Sequence, residues 1–470
     1  PIGVLVPMIA GTPTPIVVLP TGDIRPTLKR LEAQTGPVDE LEDGTLVITI
    51  NGKTLYITQS TTHAIASQNP QALKLVPANP TDMFKGMGNA FDVAVRLNVQ
   101  QIPAPIRNLI IDQMRQGFVQ AMAQQPNPDQ AREVAEGSIE QIERLIREAD
   151  GLNVGFNIDE ANKQLSFNFS FSAVGGTELA SIYGGQHSIP SRFASVIRDD
   201  AAAYLHSASS ISPEAIELAK GNIDSSMEMV KGALKGEANL PPDQVAKIEQ
   251  YIDRLTEIIS GSISEGRSDV GLMVLAGSDQ FQAVLGTFVG DGNKVAALAK
   301  DLAKDVPDVP EAPKFNFDIE TFGGVTLHAI EVDVPEKEDE ARKLFGDKIQ
   351  VYVGTAPKAV YVSVGKDSIG LLKEFITAGN GSDSGDRPLA SFTVRLLPFL
   401  ELAQSVESND SVAAMVSVLA GSIDKGEASV VSHSIANGAQ MTVSIGEGLI
   451  RAVGAAAVAA QQKMQAQPAF

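Results

Sequence analysis

The five histidines of the chain are the side chains best suited to metal binding or acid–base catalysis near neutral pH. They are His63, His187, His206, His328 and His433. None belongs to a spaced pair such as H-E-x-x-H, which places two imidazoles on one helix face for zinc. His328 and His433 lie in sequences that favour strands, so we interpret both as structural or surface residues. The histidine pattern predicts neither a zinc site nor a catalytic residue.

One loop has the oxygen-rich composition of a calcium site. The segment NGSDSGD (380–386) places oxygen-bearing side chains at alternate positions and a glycine at the sixth position, as in an EF-hand loop. The twelfth position is a serine, whereas an EF-hand needs a bidentate glutamate there. The alternative is a flexible Gly/Ser-rich loop. The candidate calcium ligands are Asn380, Ser382, Ser384 and Asp386.

A predicted strand and a predicted helix carry residues that could line an apolar groove. The segment LSFNFSFSA (165–173) alternates apolar and polar residues, which is typical of a half-solvated antiparallel sheet. The helix predicted over 103–123 has an apolar stripe at steps of three and four residues. The two stripes could bind an apolar ligand, or they could pack as an ordinary core. The candidate ligand-binding residues are Phe167, Phe169, Phe171, Ile106, Ile110 and Met114.

Several classes of chemistry lack their sequence signatures. The chain has no G-x-S-x-G elbow, no phosphate loop ending in G-K-[ST], and no G-x-G-x-x-G after a strand. Cysteine is absent, which excludes disulfides and thiolate sites. The formal net charge of −20 opposes nucleic-acid binding, because that binding depends on Lys and Arg neutralising phosphates. A hydrolase remains an alternative only if carboxylates come together in the fold.

The elements that must position these residues occur twice along the chain. GVLVPMIAGTPTPIVVLPTGD at Gly3 matches GLMVLAGSDQFQAVLGTFVGD at Gly271, and three further strand-like segments match in the same order. We therefore expect an α+β protein of two tandem related domains, each an antiparallel sheet covered by amphipathic helices. The predicted parts are a first repeat at 1–190, a connecting segment with a helical hairpin at 191–267, a second repeat at 268–456 and a frayed tail at 457–470.

The uncharged opening of the chain, PIGVLVPMIAGTPTPIVVLP, is long enough to cross a bilayer. It contains five prolines, which do not suit a spanning helix. Its counterpart at Gly271 contains polar residues that a membrane core would reject. We therefore predict a hairpin, and no transmembrane span in the chain. Because the sequence begins with proline, we expect any signal peptide, and part of the first domain, to lie upstream.

Two segments carry a family resemblance. SRFASVIRDDAAAYLH (191–206) and GDKIQVYVGTAPKAVYVSVGKD (346–367) resemble segments of large predicted secreted proteins of environmental bacteria that have no assigned function. The resemblance implies a periplasmic, cell-surface or secreted location and says nothing of activity. The predicted layout of sheets and long helices also resembles that of tubular lipid-binding proteins, on architecture alone.

These observations favour a non-enzymatic extracytoplasmic protein that acts by binding, or as a structural scaffold. Its expected partners are another copy of the chain or an envelope component, with no nucleic acid and no cofactor beyond the candidate calcium ion. One alternative is a carrier of lipid-like apolar ligands in a groove between sheet and helix. The other is a hydrolase whose carboxylate site is not visible in the sequence.

Overall fold

The computed structural model describes residues 2–50, 52–77, 79–84, 87–88, 90–122, 128–236, 241–306, 309, 312–381, 387–407 and 409–466. The chain forms two compact units. The first is Pro1–Met114 with Asn153–Asn157, and the second is Arg115–Leu152 with Ile158–Phe470. These units do not coincide with the predicted repeats, and the tandem duplication stays a prediction.

The first unit is built around a small antiparallel sheet with the strand order β1-β4-β8-β7-β6-β5. Its core forms where helix α1 packs its apolar side chains on the sheet. The elements up to the end of the third helix are β1 (Gly3–Leu5), β2 (Met8–Ile9), β3 (Thr12–Pro13), β4 (Ile16–Pro20), α1 (Arg25–Thr35), β5 (Asp39–Glu40), β6 (Leu46–Ile50), β7 (Lys53–Gln59), β8 (His63–Ser67), α2 (Pro70–Leu73), β9 (Val93–Asn98) and α3 (Ala104–Met122).

The opening of the chain is a β-structure, as predicted. β1 pairs with β4, so that Gly3 lies opposite Val18, and the short strands β2 and β3 form a second hairpin between them. Among the described residues, no helix has both the length and the apolar character needed to cross a membrane. The proline-rich segment therefore contributes the edge strand β1 and its neighbour β4 to the sheet.

The second unit contains a much larger sheet. Its strand order is β15-β16-β17-β18-β14-β13-β12-β19-β20-β21-β11-β10. Residues Asn153–Asn157 of β10 belong to the first unit. The remaining elements are α4 (Pro128–Glu148), β10 (Ala149–Asp159), β11 (Gln164–Ala173), α5 (Glu178–Gly184), β12 (Ala203–Ser210), α6 (Pro213–Gly236), α7 (Pro242–Ile263), β13 (Arg267–Gly277), β14 (Gln280–Phe288), α8 (Gly292–Lys304), β15 (Lys314–Phe322), β16 (Val325–Asp333), α9 (Asp339–Phe345), β17 (Lys348–Ala356), β18 (Ala359–Gly365), α10 (Ser368–Ala378), β19 (Ala390–Arg395), α11 (Leu396–Val406), α12 (Asp410–Ala420), β20 (Glu427–Ile435), β21 (Gly438–Gly446) and α13 (Glu447–Ala466).

Both helices and antiparallel strands make up large shares of the described residues, which confirms the α+β class. The predicted helical hairpin is also present, since α6 and α7 pack together and Lys231 bridges to Asp253 at 2.6 Å. The predicted turn at Asn437-Gly438 connects β20 to β21, with Asn437 in the left-handed region at φ 54°. The elements with strong local signals therefore form where the sequence places them.

The main core of the second unit lies on one face of the large sheet. Phe193 is fully buried there and packs against Tyr361 and Phe375, with ring centroids 5.6 and 5.8 Å away. The strands beneath it carry glycine at Gly271 and Gly286, because a Cβ at either position would overlap Phe193. This aromatic cluster is covered by α10 and therefore defines the buried face of the sheet.

We expect Gly286→Ala to destabilise the second unit by about 1–3 kcal/mol, because the new methyl would overpack the core. Its Cβ would lie 2.7 Å from Cε1 of Phe375 and would also overlap Phe193. The matched control is Gly277→Ala on the neighbouring strand, where a Cβ meets nothing within 4 Å. Urea unfolding should show a lower midpoint for Gly286→Ala alone. Equal midpoints would contradict this packing.

Candidate functional site

The face of the large sheet opposite the Phe193 core is apolar. Residues paired directly across neighbouring strands point to the same face, so the registers define rows of side chains. One row runs through nine strands as Phe167, Val443, Val430, Phe392, Leu205, Leu272, Leu285, Val362 and Val353. The row beside it is Leu165, Ile445, Ala428, Val394, Ala203, Val274, Ala283, Val364 and Val351. We call these two rows the apolar face.

The apolar face is only partly covered. None of its eighteen described side chains is fully buried, and Phe392 is 40% exposed. Two neighbours on the same face, Phe169 and Met441, are 39% and 41% exposed and lie opposite each other on β11 and β21. A contiguous apolar surface of this kind marks an interaction site in a folded protein.

The other side of these strands is buried at the centre of the sheet, whereas Ser429, Ser444 and Ser166 of β20, β21 and β11 are only half-buried on that side. Met273, Val284 and Ser363 form a row there with exposures of 1–2%, and Thr393 of the same row is 4% exposed. An antiparallel sheet with one solvated face normally presents polar residues to water. At its centre, this sheet instead presents aliphatic and aromatic residues on its less covered face, and this reversal identifies the candidate site.

The predicted phenylalanines lie on this surface. Phe167 belongs to the apolar face, and Phe169 and Phe171 continue its side of β11. Phe171 packs edge to face on Tyr183 of α5, with ring centroids 4.6 Å apart, whereas Phe169 remains exposed. The alternating pattern of 165–173 therefore identified β11, which lies at one end of the apolar face. The face continues across eight further strands.

The helical half of the predicted groove lies in the other unit. Ile106, Ile110 and Met114 are residues of α3 in the first unit, and Ile110 is 44% exposed. The phenylalanines belong to the second unit. The six-residue groove therefore stays a prediction, while the apolar face stands on the second unit by itself.

The predicted calcium loop is described only at its start. Asn380 follows α10, but Ser382, Ser384 and Asp386 lie outside the described residues. In the part of the chain that the structure describes, no group of three His, Asp or Glu residues could hold a metal ion. The calcium site stays a prediction.

Sequence reasoning missed a buried Ser, His and Asp cluster. Asp269 is 2% exposed and accepts hydrogen bonds from the Ser191 hydroxyl at 2.6 Å and the Arg192 backbone N–H at 3.0 Å. His206, 1% exposed, has its Nε2 3.0 Å from Ser191 Oγ, which also accepts from the Phe193 N–H at 2.9 Å. Burial raises the pKa of the Asp269 carboxyl, and the hydrogen bonds from Ser191 and Arg192 oppose this rise.

The cluster has the residue types of a serine hydrolase but not its arrangement. In a Ser-His-Asp triad the carboxylate orients the histidine, and the histidine accepts the serine proton. Here the Ser191 hydroxyl donates its one proton to Asp269, and this arrangement requires the His206 tautomer whose Nε2 donates to the hydroxyl oxygen. With both roles filled, Ser191 is held in place and His206 is not its base. The cluster fixes the 191–193 segment against the sheet.

Comparison of the chain with family models, with curated proteins and with solved structures finds no match.

We expect Ser191→Ala to cost about 1–3 kcal/mol of stability, because Asp269 and the Phe193 N–H would each lose a buried partner. The control Ser226→Ala removes an exposed hydroxyl of α6 and should change stability by less than about 0.5 kcal/mol. The same experiment addresses the hydrolase alternative. A fluorophosphonate reagent should leave Ser191 unlabelled in the native parent protein, and stoichiometric labelling there would contradict the structural role.

Proposed function

We propose that the protein is a non-enzymatic binding protein whose second unit carries an uncharged hydrocarbon ligand, such as an acyl chain, on the apolar face. The observation that supports this proposal most strongly is the pair of nine-residue rows without a charged side chain, none of them fully buried. Among the functions that the sequence favours, the lipid-like carrier fits this surface best.

The energy available at this face is sufficient for binding. Burying a Val, Leu or Phe side chain contributes about 1.5–3 kcal/mol relative to full exposure. Apart from Phe392, these side chains keep only about a tenth to a third of their full exposure, so completing the burial of all eighteen would contribute on the order of 10 kcal/mol. Micromolar affinity corresponds to about 8 kcal/mol, and association itself has an entropic cost of at least about 4 kcal/mol. A ligand that covers nearly the whole apolar face is therefore required, which favours a long chain over a small ring.

The chemistry of the face favours hydrocarbon over a protein partner. Protein interfaces carry about one hydrogen bond per 100–200 Å² and concentrate Arg and Tyr at their centres. The side chains of the two rows offer neither a hydrogen-bond donor nor an acceptor, and a saturated chain needs neither. Self-association through this face would also bring two chains of net charge −20 together, which electrostatic repulsion opposes.

We place this function outside the cytoplasm. The support is the resemblance of 191–206 and 346–367 to predicted secreted proteins. In the periplasm or outside the cell, an exposed apolar face would be useful for moving a lipid-like molecule through water. The scaffold alternative predicts a stable oligomer closed through the same face.

We expect Val430→Ser to weaken the binding of N-phenyl-1-naphthylamine, an uncharged fluorescent probe, by about tenfold, because one apolar contact of roughly 1.5 kcal/mol is lost. The control is Val431→Ser, since Val431 is the adjacent residue of β20, is also half-buried, and points to the opposite face. This control should bind the probe within about twofold of the parent protein.

Absence of saturable probe binding to the parent protein, or equal loss in both variants, would overturn the proposal. Sedimentation of the same samples tests the scaffold alternative. A parent oligomer that dissociates in Val430→Ser but not in Val431→Ser would favour self-assembly over ligand transport.

A further inference from the structure

A small pocket lies on the core side of the sheet, where β13 begins and β14 ends. Its volume is about 190 Å³, which is below the 300–1,000 Å³ typical of drug-sized ligands. Arg267 at the start of β13 and Phe288 at the end of β14 form part of its wall. Lys358, between β17 and β18, and Arg192, beside the buried Asp269, complete its cationic lining.

Three cations at one small pocket are unusual in a chain of net charge −20. The pocket also contains two carboxylates, Glu265 and Asp269. Lys358 pairs with Glu265 and donates to the Gly290 carbonyl at 2.8 Å. Counting Arg192, Arg267 and Lys358 against the two carboxylates leaves one unbalanced positive charge.

The unbalanced charge is presented by two arginines. The Arg267 guanidinium lies over the Phe288 ring, 4.7 Å from its centroid, so the aromatic face fixes its orientation. Its only ion pair with a described residue is a 3.7 Å contact with Asp269, and its Nε has no hydrogen-bond partner among the described residues. The exposed side chain of Arg192 forms no ion pair with any residue that the structure describes. Both guanidinium groups retain donors for a ligand.

We propose that this pocket binds a small monocarboxylate with an apolar or aromatic substituent. A planar carboxylate matches the fork of donors on a guanidinium group, and the partly exposed Phe288 supplies an apolar wall for the substituent. One negative charge neutralises the pocket. A phosphate monoester carries about −1.5 to −2 at pH 7 and would leave excess negative charge beside Asp269 and Glu265.

The site is independent of the proposed hydrocarbon carrier. Asp269 is paired with Ala208 in the register and points to the core side, opposite the apolar face. Val430 and Phe392 are not among the residues that line the pocket. Loss of binding at one site therefore leaves the other intact.

The test is calorimetric titration of the full chain with sodium benzoate, with benzamide as the neutral molecule of the same shape. Benzoate should bind saturably, and benzamide at least about tenfold more weakly, because hydrogen bonds between two charged groups are stronger than those to a neutral amide. Arg192→Met should weaken benzoate binding by about tenfold or more. Its exposed, unpaired side chain makes this variant suitable even if Arg267→Met does not fold.

The matched control is Arg451→Met, which removes an exposed arginine of α13 that pairs with Glu447. It should bind benzoate as the parent protein does. Equal binding of benzoate and benzamide, or equal affinity in Arg192→Met and Arg451→Met, would overturn the proposal. Tighter binding of inorganic phosphate than of benzoate would overturn the assignment to a carboxylate.

Discussion

The packing of Phe193 into the space left by Gly271 and Gly286 determines which face of the large sheet is buried. Side chains alternate along a strand with a period of two, so the choice of one buried face assigns every residue of the sheet to inside or outside. Once Phe193 occupies the core side, Met273 and Val284 are buried, and the adjacent Leu272 and Leu285 belong to the opposite face. The apolar face is therefore a direct consequence of this packing.

The 191–193 segment contacts both the core and the cationic pocket. Ser191 and the Arg192 N–H hold Asp269, Phe193 enters the core, and the Arg192 side chain lines the pocket. A buried carboxylate that loses a partner is strongly destabilising, so this cluster maintains the position of the segment. Ser191, His206 and Asp269 therefore lie together, with the serine donating to the carboxylate, because they hold Arg192 and Phe193 in position.

The features with local signals could be predicted from the sequence. The helices of the 213–263 hairpin follow from apolar residues at steps of three and four, and the Asn437 turn follows from a dipeptide preference. The alternation around Phe169 predicted a half-solvated strand, but the apolar face needs registers among strands up to hundreds of residues apart. Ser191 likewise meets Asp269 across 78 residues. Strand order was also beyond reach, because β12 of the predicted connecting segment pairs between β13 and β19. In addition, β11 of the first predicted repeat pairs with β21 of the second, which joins both repeats in one sheet.

The accessibility of the apolar face can be measured directly, because the chain has no cysteine and a single introduced thiol is unique. Phe392 and Thr393 are adjacent on β19, and they are 40% and 4% exposed. In the native protein, Phe392→Cys should react rapidly with a water-soluble disulfide reagent, and bound N-phenyl-1-naphthylamine should slow the reaction. Thr393→Cys should react at least about a hundredfold more slowly, because its thiol becomes accessible only on opening of the core. Faster reaction at position 393, or no protection of position 392 by the probe, would contradict the assignment of the two faces and of the ligand to the apolar one.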